Sequence, residues 1–352
     1  MMSGKEQYAF FRKKLLKWNK NENNRQMPWK GETDPYKVWL SEVVLQQTRV
    51  EQGLNYYNKF IKHFPNVHQL ASASEEKVYK LWEGLGYYNR CKNLIETANL
   101  ISNNLKGVFP NTYESILKLK GVGEYTASAI SSFAFKLPYA VVDGNVYRVL
   151  SRFFGIEKEF ISSKDKKFFK ELAQELLDSK NPGLYNQAIM DFGATICTAQ
   201  KPKCSTCLLK ENCYAFKNNK QAALPIKKIK AKTKELHFNY FVFSYRNKIA
   251  IKQRSEKNIW NKLFEFYLVE TKNNFSKKKS QDFLLQNFPE MNYLKIEISK
   301  QNIQKLTHRK VFAVFIKVEL ESKFQLNEDF KRVSLNEMAL YSFPRIIRDY
   351  IQ

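Results

Sequence analysis

The sequence predicts a multidomain protein, an all-α region followed by a smaller α/β region, and three observations carry that prediction. Apolar residues recur at spacings of three and four from residue 8 to about 216, the period of a helix. Residues 217–234, KNNKQAALPIKKIKAKTK, are polar and basic and carry a proline, as a linker does. Beyond them HFNYFVFSY, KIAIKQR, LFEFYLVE and KVFAVFIKVEL are β-rich and partly alternating, with one helical candidate at SQDFLLQNF. The expected division is 1–216, a linker at 217–234, and 235–352.

Within the first region Phe11, Leu15 and Trp18 fall on one helical face, which predicts an amphipathic helix docked on the body. Pro28, Pro35, Pro65, Pro110, Pro138 and Pro182 stand near expected helix starts, where a missing N–H costs nothing. In the second region NNFSKKKS, ending at residue 280, reads as a flexible loop.

Composition narrows the function. The chain has 352 residues, and 43% of them are hydrophobic, enough for a substantial core. Lys and Arg number 59 against 34 Asp and Glu, a net charge of +25. Residues 1–216 hold 31 basic and 21 acidic side chains, and 217–352 hold 28 and 13, so both regions are positive. A lysine-biased proteome would raise this number too, but the excess favours a polyanionic partner. The N-terminal MMSGKEQYAFFRKKLLKW lacks the apolar run of a signal peptide, and no stretch reads as a membrane span. The expectation is a cytoplasmic monomer associated with the nucleoid and not with a membrane.

Four of the five cysteines lie in CTAQKPKCSTCLLKENC, spaced Cys197-x6-Cys204-x2-Cys207-x5-Cys213, with Cys91 far off. Reduced cytosolic thiols and an odd total disfavour disulfides. One central C-x2-C flanked by single thiols suits a compact cubane cluster better than zinc, which usually takes two ligand pairs separated by a longer loop. Lys201, Lys203 and Lys210 lie within or beside this loop, so a rigid loop would present cations to phosphate.

Two carboxylates attract notice. SILKLKGVGEYTASAI runs one helix into Gly121-Val122-Gly123 and at once into another, leaving open N–H groups at a helix N-terminus, a phosphate site that needs no charged side chain. A glycine C-cap between ordinary helices would look the same. Just beyond, in VVDGNVYRVLSR, Asp143 precedes a helix and reads first as an N-cap. A carboxylate beside a DNA-binding hairpin is also placed to stabilise a sugar cation. Glu42 stands among Val38, Leu40, Val43, Val44 and Leu45, where desolvation would raise its pKa toward that of a general acid; the alternative is a surface Glu on an amphipathic helix.

In order along the chain, MPWK, SEVVLQQTRV, LWEGLGYYNR, LKGVGEYTASAI, VVDGNVYRVLSR, NQAIMDFGATIC and the four-cysteine tail resemble the MutY-type adenine DNA glycosylases of the helix–hairpin–helix superfamily. The resemblance covers residues 8 to 216 nearly continuously. It implies a [4Fe-4S] cluster on Cys197, Cys204, Cys207 and Cys213, and an enzyme that flips adenine mispaired with 8-oxoguanine or guanine out of double-stranded DNA and hydrolyses its glycosidic bond. By the same resemblance Glu42 protonates the leaving base and Asp143 stabilises the oxocarbenium-like sugar, with Tyr125 and Asn145 arranging nucleophile and water. Trp29, Leu45 and Asp191 line or support the adenine pocket, together with Lys30, which stands where the family commonly has Arg. Gln47, Leu85 and Tyr87 enter the duplex, and Gly121 and Gly123 hold its backbone. Of Tyr87 and Tyr88, one is expected in the core.

The related bifunctional enzymes of the endonuclease III branch carry a Schiff-base lysine where this chain has Tyr125, so the resemblance implies a monofunctional glycosylase. A glycosylase/lyase and a nonenzymatic damage-binding protein are the alternatives; the first needs that lysine, the second has no use for both carboxylates. Residues 235–352 resemble the family's Nudix-like C-terminal domain through IWNKLFEFYLVE and LTHRKVFAVFIKVEL. In it Thr307 and His308 match the loop that contacts 8-oxoguanine, with Leu306 in place of the usual Phe and Tyr267 where Pro is frequent. No Glu-rich run of the kind that holds Mg²⁺ in Nudix hydrolases is present, so this domain is expected to bind and not to hydrolyse.

Overall fold

Helix α1 (Gly4–Asn21) buries the Phe11, Leu15 and Trp18 stripe that the sequence marks out. Its Arg12 fastens the opposite side by donating to the carbonyls of Leu176 and Glu175, each at 3.0 Å. In this computed structural model the described residues are 4–159, 162–226, 233–254, 259–323 and 326–352; residues 227–232 of the expected linker lie outside them. The chain divides into two compact units, Met1–Ser72 with Asn93–Ile229, and Ala73–Lys92 with Lys230–Gln352.

The helical elements are α2 (Pro35–Leu45), α3 (Val50–His63), α4 (Val67–Ala71), α5 (Glu75–Trp82), α6 (Tyr88–Asn99), α7 (Tyr113–Leu117), α8 (Glu124–Ala134), α9 (Gly144–Phe154), α10 (Ser163–Leu176), α11 (Pro182–Thr195) and α12 (Tyr214–Lys217). Pro35 and Pro182 open their helices, the first behind an Asp34 cap that accepts the Tyr36 N–H at 2.9 Å. The other four prolines stand in connections. The core of the first unit gathers Phe11, Leu15, Leu150, Phe153, Ile189 and Phe192 from α1, α9 and α11. Helices α9 and α11 approach closely at Gly193, where an added Cβ would lie 2.7 Å from the Cβ of Asn145.

The second unit is built on a mixed sheet of β1 (Lys234–Tyr245), β2 (Lys248–Gln253), β3 (Phe264–Glu265), β4 (Tyr267–Thr271), β5 (Tyr293–Ile298), β6 (Asn302–Lys305), β7 (Arg309–Leu320) and β8 (Phe330–Ser334). Strands β1 and β7 pair in parallel from Lys234↔Arg309 to Ser244↔Glu319, and the other pairings are antiparallel. Helix α13 (Lys277–Asn287) packs Leu284 into a cluster with Phe241, Phe243, Ile316 and Val318. Helix α14 (Leu335–Met338) is a short capped turn, and α15 (Arg345–Ile351) stacks Tyr350 on Phe315 with ring centroids 3.9 Å apart.

Two differences from the sequence reading have local causes. Only the first half of NNFSKKKS is a loop: Ser276 caps α13 by accepting the Lys279 N–H, residues 277–280 form its first turn, and Phe275 and Ser280 are buried. Residues 73–92, read as part of the helical region, carry their contacts to the C-terminal unit. Among the described residues no helix is long and apolar enough to cross a membrane.

Leu15 is fully buried where α1 meets the main cluster, so Leu15→Ala should lower the stability of the helical unit by about 2–5 kcal/mol. Urea titration followed by circular dichroism should show an earlier midpoint with an unchanged slope.

Candidate active site

Helix α2 is buried on nearly all sides, from Tyr36 and Val38 through Val44, and Glu42 is the one carboxylate among these buried residues. A cavity of about 490 Å³ opens against it, lined also by Leu45, Gln47, Tyr125, Asp143 and Asn145. Burial is the main reason that the Glu42 carboxyl is pushed up to about 7; the nearby negative charge of Asp143 adds to this, and the Tyr125 hydroxyl opposes it. The surface alternative is excluded, since Glu42 is only 8% exposed.

Asp143 does cap α9, and the cap leaves it in the cavity wall. Its Oδ1 accepts the N–H groups of Asn145 and Val146 at 2.9 and 2.7 Å, and its Oδ2 accepts the Asn145 side-chain amide at 2.8 Å. Burial raises its pKa, and these hydrogen bonds together with the Arg148 charge pull the other way. One carboxyl is thus desolvated with a single hydroxyl neighbour, and the other is ringed by donors. That contrast is what an acid and an anionic stabiliser side by side require.

Tyr125 reaches the same cavity from the first turn of α8, its hydroxyl oxygen 3.6 Å from Met190 Sδ. Asn145 is held by Arg148, whose guanidinium donates to Asn145 Oδ1 at 2.8 Å, to the Gly193 carbonyl at 2.7 Å and to the Cys197 carbonyl at 2.8 Å. Trp29 lines the cavity and meets Tyr57 edge-on at 5.3 Å.

Asp191 is fully buried behind the wall and does not line the cavity. It accepts from Arg25 at 2.9 Å, from Asn23 at 2.9 Å and from Gln187 at 3.0 Å, so it supports two side chains that do. Lys30 is turned away from the cavity: its Nζ lies 3.2 Å from Asp191 Oδ2 and donates to the Arg25 carbonyl at 2.8 Å. A point charge with rotatable donors satisfies two oxygens there without a planar fork. Arg25, Gln46, Gln187 and Met190 are lining residues that the sequence reading did not name. Gln187 stands four residues before Asp191 on one helix, a spacing that marks it as a neighbour, whereas Arg25 is distant in sequence and carries no such signal.

The expected DNA-contacting residues divide. Gln47 is exposed at the cavity mouth with a left-handed φ of 55°. At the hairpin Gly121 takes φ 74°, and Gly123 caps α8 with open space where a Cβ would stand. In the C-terminal unit Tyr87 is 42% exposed, and its hydroxyl meets Thr307 Oγ1 at 2.5 Å; His308 is exposed beside it in the sequence. Leu85 departs from expectation, because it is only 5% exposed. Gly84 and Gly86 take φ of 91° and 80°, and the turn they form directs Leu85 inward while Tyr87 stays at the surface. Tyr88 is the core member of the tyrosine pair, stacked on Tyr79 with rings 6.5 Å apart.

The four cysteines line one cavity together with Arg152, Lys203 and Lys210. Burial pushes the Cys207 thiol up to about 12, and the charges of Cys197, Cys213 and Cys204 act in the same direction. Four converging thiols ionise together only when a cationic group neutralises them. Among the described residues no three His, Cys, Asp or Glu side chains close on a point as one metal ion needs.

An adenine DNA glycosylase of Buchnera aphidicola subsp. Baizongia pistaciae is 38% identical over 264 residues, covering 73% of this chain and 73% of its own. The chain belongs to the adenine DNA glycosylase family. The adenine DNA glycosylase of Rattus norvegicus is 44% identical over 223 residues, 61% of this chain and 43% of the rat protein. Residues 40–178 match the HhH-GPD superfamily of base excision DNA repair proteins. The solved structure of a thermostable thymine-DNA glycosylase is 29% identical with a TM-score of 0.57, covering 62% of this chain and all of that one. As a family member the chain is a DNA N-glycosylase of base excision repair, and damaged DNA is its partner.

The two carboxylates make a testable pair. The Glu42 carboxyl should titrate near 7 by carbon-detected NMR; Asp143→Asn should lower that value by removing a negative neighbour, and Tyr125→Phe should raise it by removing the stabilising hydroxyl. Because the folded-state pKa is raised, the stability Glu42 contributes is present below its unfolded pKa and lost as pH rises through about 7. Glu42→Gln should consequently be more stable than the parent protein above pH 7 in equilibrium unfolding, despite loss of the acid.

Proposed function

We propose that this glycosylase excises adenine mispaired with 8-oxoguanine or guanine, and that Glu42 and Asp143 divide the chemistry. The observation that carries the reading is the single cavity holding a carboxyl with a pKa of about 7 beside a carboxylate surrounded by donors. Protonated Glu42 transfers its proton to N7 of the flipped adenine. The bond from C1′ to N9 then breaks with its electron pair leaving on the base, and a cationic sugar remains. Asp143, held by the Asn145 and Val146 N–H bonds, stabilises that cation or bonds to it covalently, and water then adds at C1′ and gives up its proton to the Glu42 carboxylate. Asn145, locked by Arg148, keeps the carboxylate oriented. Trp29, Leu45, Gln187 and Arg25 enclose the base.

Strand cleavage is not part of this mechanism. The position of a Schiff-base lysine is filled by Tyr125, which has no amine to form an imine. The bifunctional reading therefore lacks its nucleophile, and a nonenzymatic reading leaves the raised pKa of Glu42 without purpose. Cys197, Cys204, Cys207 and Cys213 would hold a [4Fe-4S] cluster, which supplies rigidity to the loop bearing Lys201, Lys203 and Lys210. The Gly121–Gly123 hairpin offers backbone N–H groups to phosphate, and Gln47 and Tyr87 enter the duplex. The C-terminal unit is the Nudix-like module that reads the opposite base through Thr307 and His308. The protein acts as a cytoplasmic monomer on nucleoid DNA, its +25 charge giving the binding a steep salt dependence.

Single-turnover assays on duplexes with adenine opposite 8-oxoguanine, guanine or thymine test the whole reading. Adenine should be released opposite the purines alone, strands should break only after alkali, and borohydride should trap no adduct. Glu42→Gln and Asp143→Asn should each slow release by about 10²–10⁴-fold. In the parent protein the rate should fall as pH rises through about 7, where Glu42 loses its proton, and this limb should vanish in Glu42→Gln. Release unaffected by Glu42→Gln would overturn the acid assignment.

A further inference from the structure

The segment Ala73–Lys92 folds with the C-terminal unit, and its polar fastenings lie at the foot of the loop that carries Tyr87. Lys80, near the end of α5, donates from Nζ to the Tyr341 carbonyl at 3.0 Å and to Glu83 Oε2 at 2.9 Å. Glu83, the residue that ends α5, accepts the Phe343 N–H on Oε1 at 2.9 Å. One cation and one anion thus grip main-chain groups two residues apart and are closed on each other as an ion pair. The gripped segment is itself anchored, because the Phe264 N–H donates to the Ser342 carbonyl at 2.8 Å.

From this base the chain turns through Gly84 and Gly86 and places Tyr87 at a left-handed φ of 51°. A bulky residue holds such a conformation only where its surroundings over-determine it. Arg90 lies over the Trp82 ring at 5.2 Å and the Tyr87 ring at 5.3 Å, and the Tyr87 hydroxyl reaches Thr307. The Glu83 side chain is 11% exposed, so its ionic hydrogen bonds are screened less than those of a surface pair.

We propose that Lys80 and Glu83 are positioning residues for recognition of the base opposite adenine: their clasp on Tyr341 and Phe343 sets Tyr87 against Thr307, so that the two meet the opposite purine as one preassembled surface. The inference rests on the reading of Tyr87 and Thr307 given above. Neither Lys80 nor Glu83 lines the catalytic cavity, so the clasp governs discrimination and leaves the chemical step alone.

The test compares single-turnover adenine release from duplexes with 8-oxoguanine or guanine opposite adenine, using the full chain and its Glu83→Ala, Glu83→Gln and Lys80→Met variants. Glu83→Ala and Lys80→Met should lower the 8-oxoguanine-to-guanine rate ratio by about tenfold, the value of one charge-assisted hydrogen bond. The rate opposite guanine should stay within about twofold of the parent. Glu83→Gln keeps a carbonyl acceptor for the Phe343 N–H and should recover most of the ratio. If Glu83→Ala does not fold, Lys80→Met carries the same comparison. An unchanged ratio in the variants, or an equal loss on both substrates with a lowered melting temperature, would overturn the clasp. A parent protein that shows no preference for 8-oxoguanine would instead overturn the mispair reading beneath it.

Discussion

The site depends on how helix α9 is anchored. Its first cap is Asp143, and its second and third turns carry Arg148 and Arg152, which reach toward the segment that follows α11. Arg148 joins the Asn145 side chain to the carbonyls of Gly193 and Cys197. Arg152, only 3% exposed, donates to the carbonyls of Thr198, Ala199 and Leu224 and lies 3.5 Å from Cys197 Sγ. A buried guanidinium is tolerated when its fork is satisfied, and here the partners are fixed backbone dipoles. The carboxylate at the start of α9 and the thiol-bearing loop therefore share one rigid connection. Gly193 completes it, since any Cβ there would displace Asn145.

That rigidity has to hold two acids whose demands conflict. Burial raises both carboxyls, but Asp143 is ringed by donors that pull the other way, and its negative charge adds to the rise at Glu42. An ionised Asp143 makes Glu42 a weaker acid. Two carboxyls of one cavity are thus set apart by environment and not by residue type.

Much of this was legible in the sequence because it is local. The GVG turn, the Asp143 cap and the α1 stripe each follow from residues a few places apart. Glu42 was ambiguous because helical periodicity counts neighbours along its own helix, and its burial comes from other elements packed on every side of α2. The burial of Leu85 is not legible because motif position does not say which way two glycines turn a chain. Lys30 and Arg25 converge on Asp191 across more than 160 residues, a pairing that no spacing rule reaches. Residues 73–92 show the same limit: helical period fixes the element and says nothing about the unit it joins.

The C-terminal unit shows how backbone alone can fix a loop. No glycine follows Gly193 in the sequence, so the left-handed positions Arg246, Asn247, Trp260 and Lys262 are all held by side-chain-bearing residues. The Leu306–His308 loop is instead closed by the ladder itself: the Leu306 N–H donates to the Arg309 carbonyl at 2.8 Å and the Lys234 N–H to the His308 carbonyl at 3.0 Å. It stands at the first residue of β7, whose parallel pairing with β1 runs unbroken from Lys234↔Arg309. A one-residue slip there would reverse the face of every side chain on the strand, burying charge and exposing Val311 and Ala313, so the register is strongly specified. The hydrogen-bonding groups of Thr307 and His308 are thereby placed by main chain.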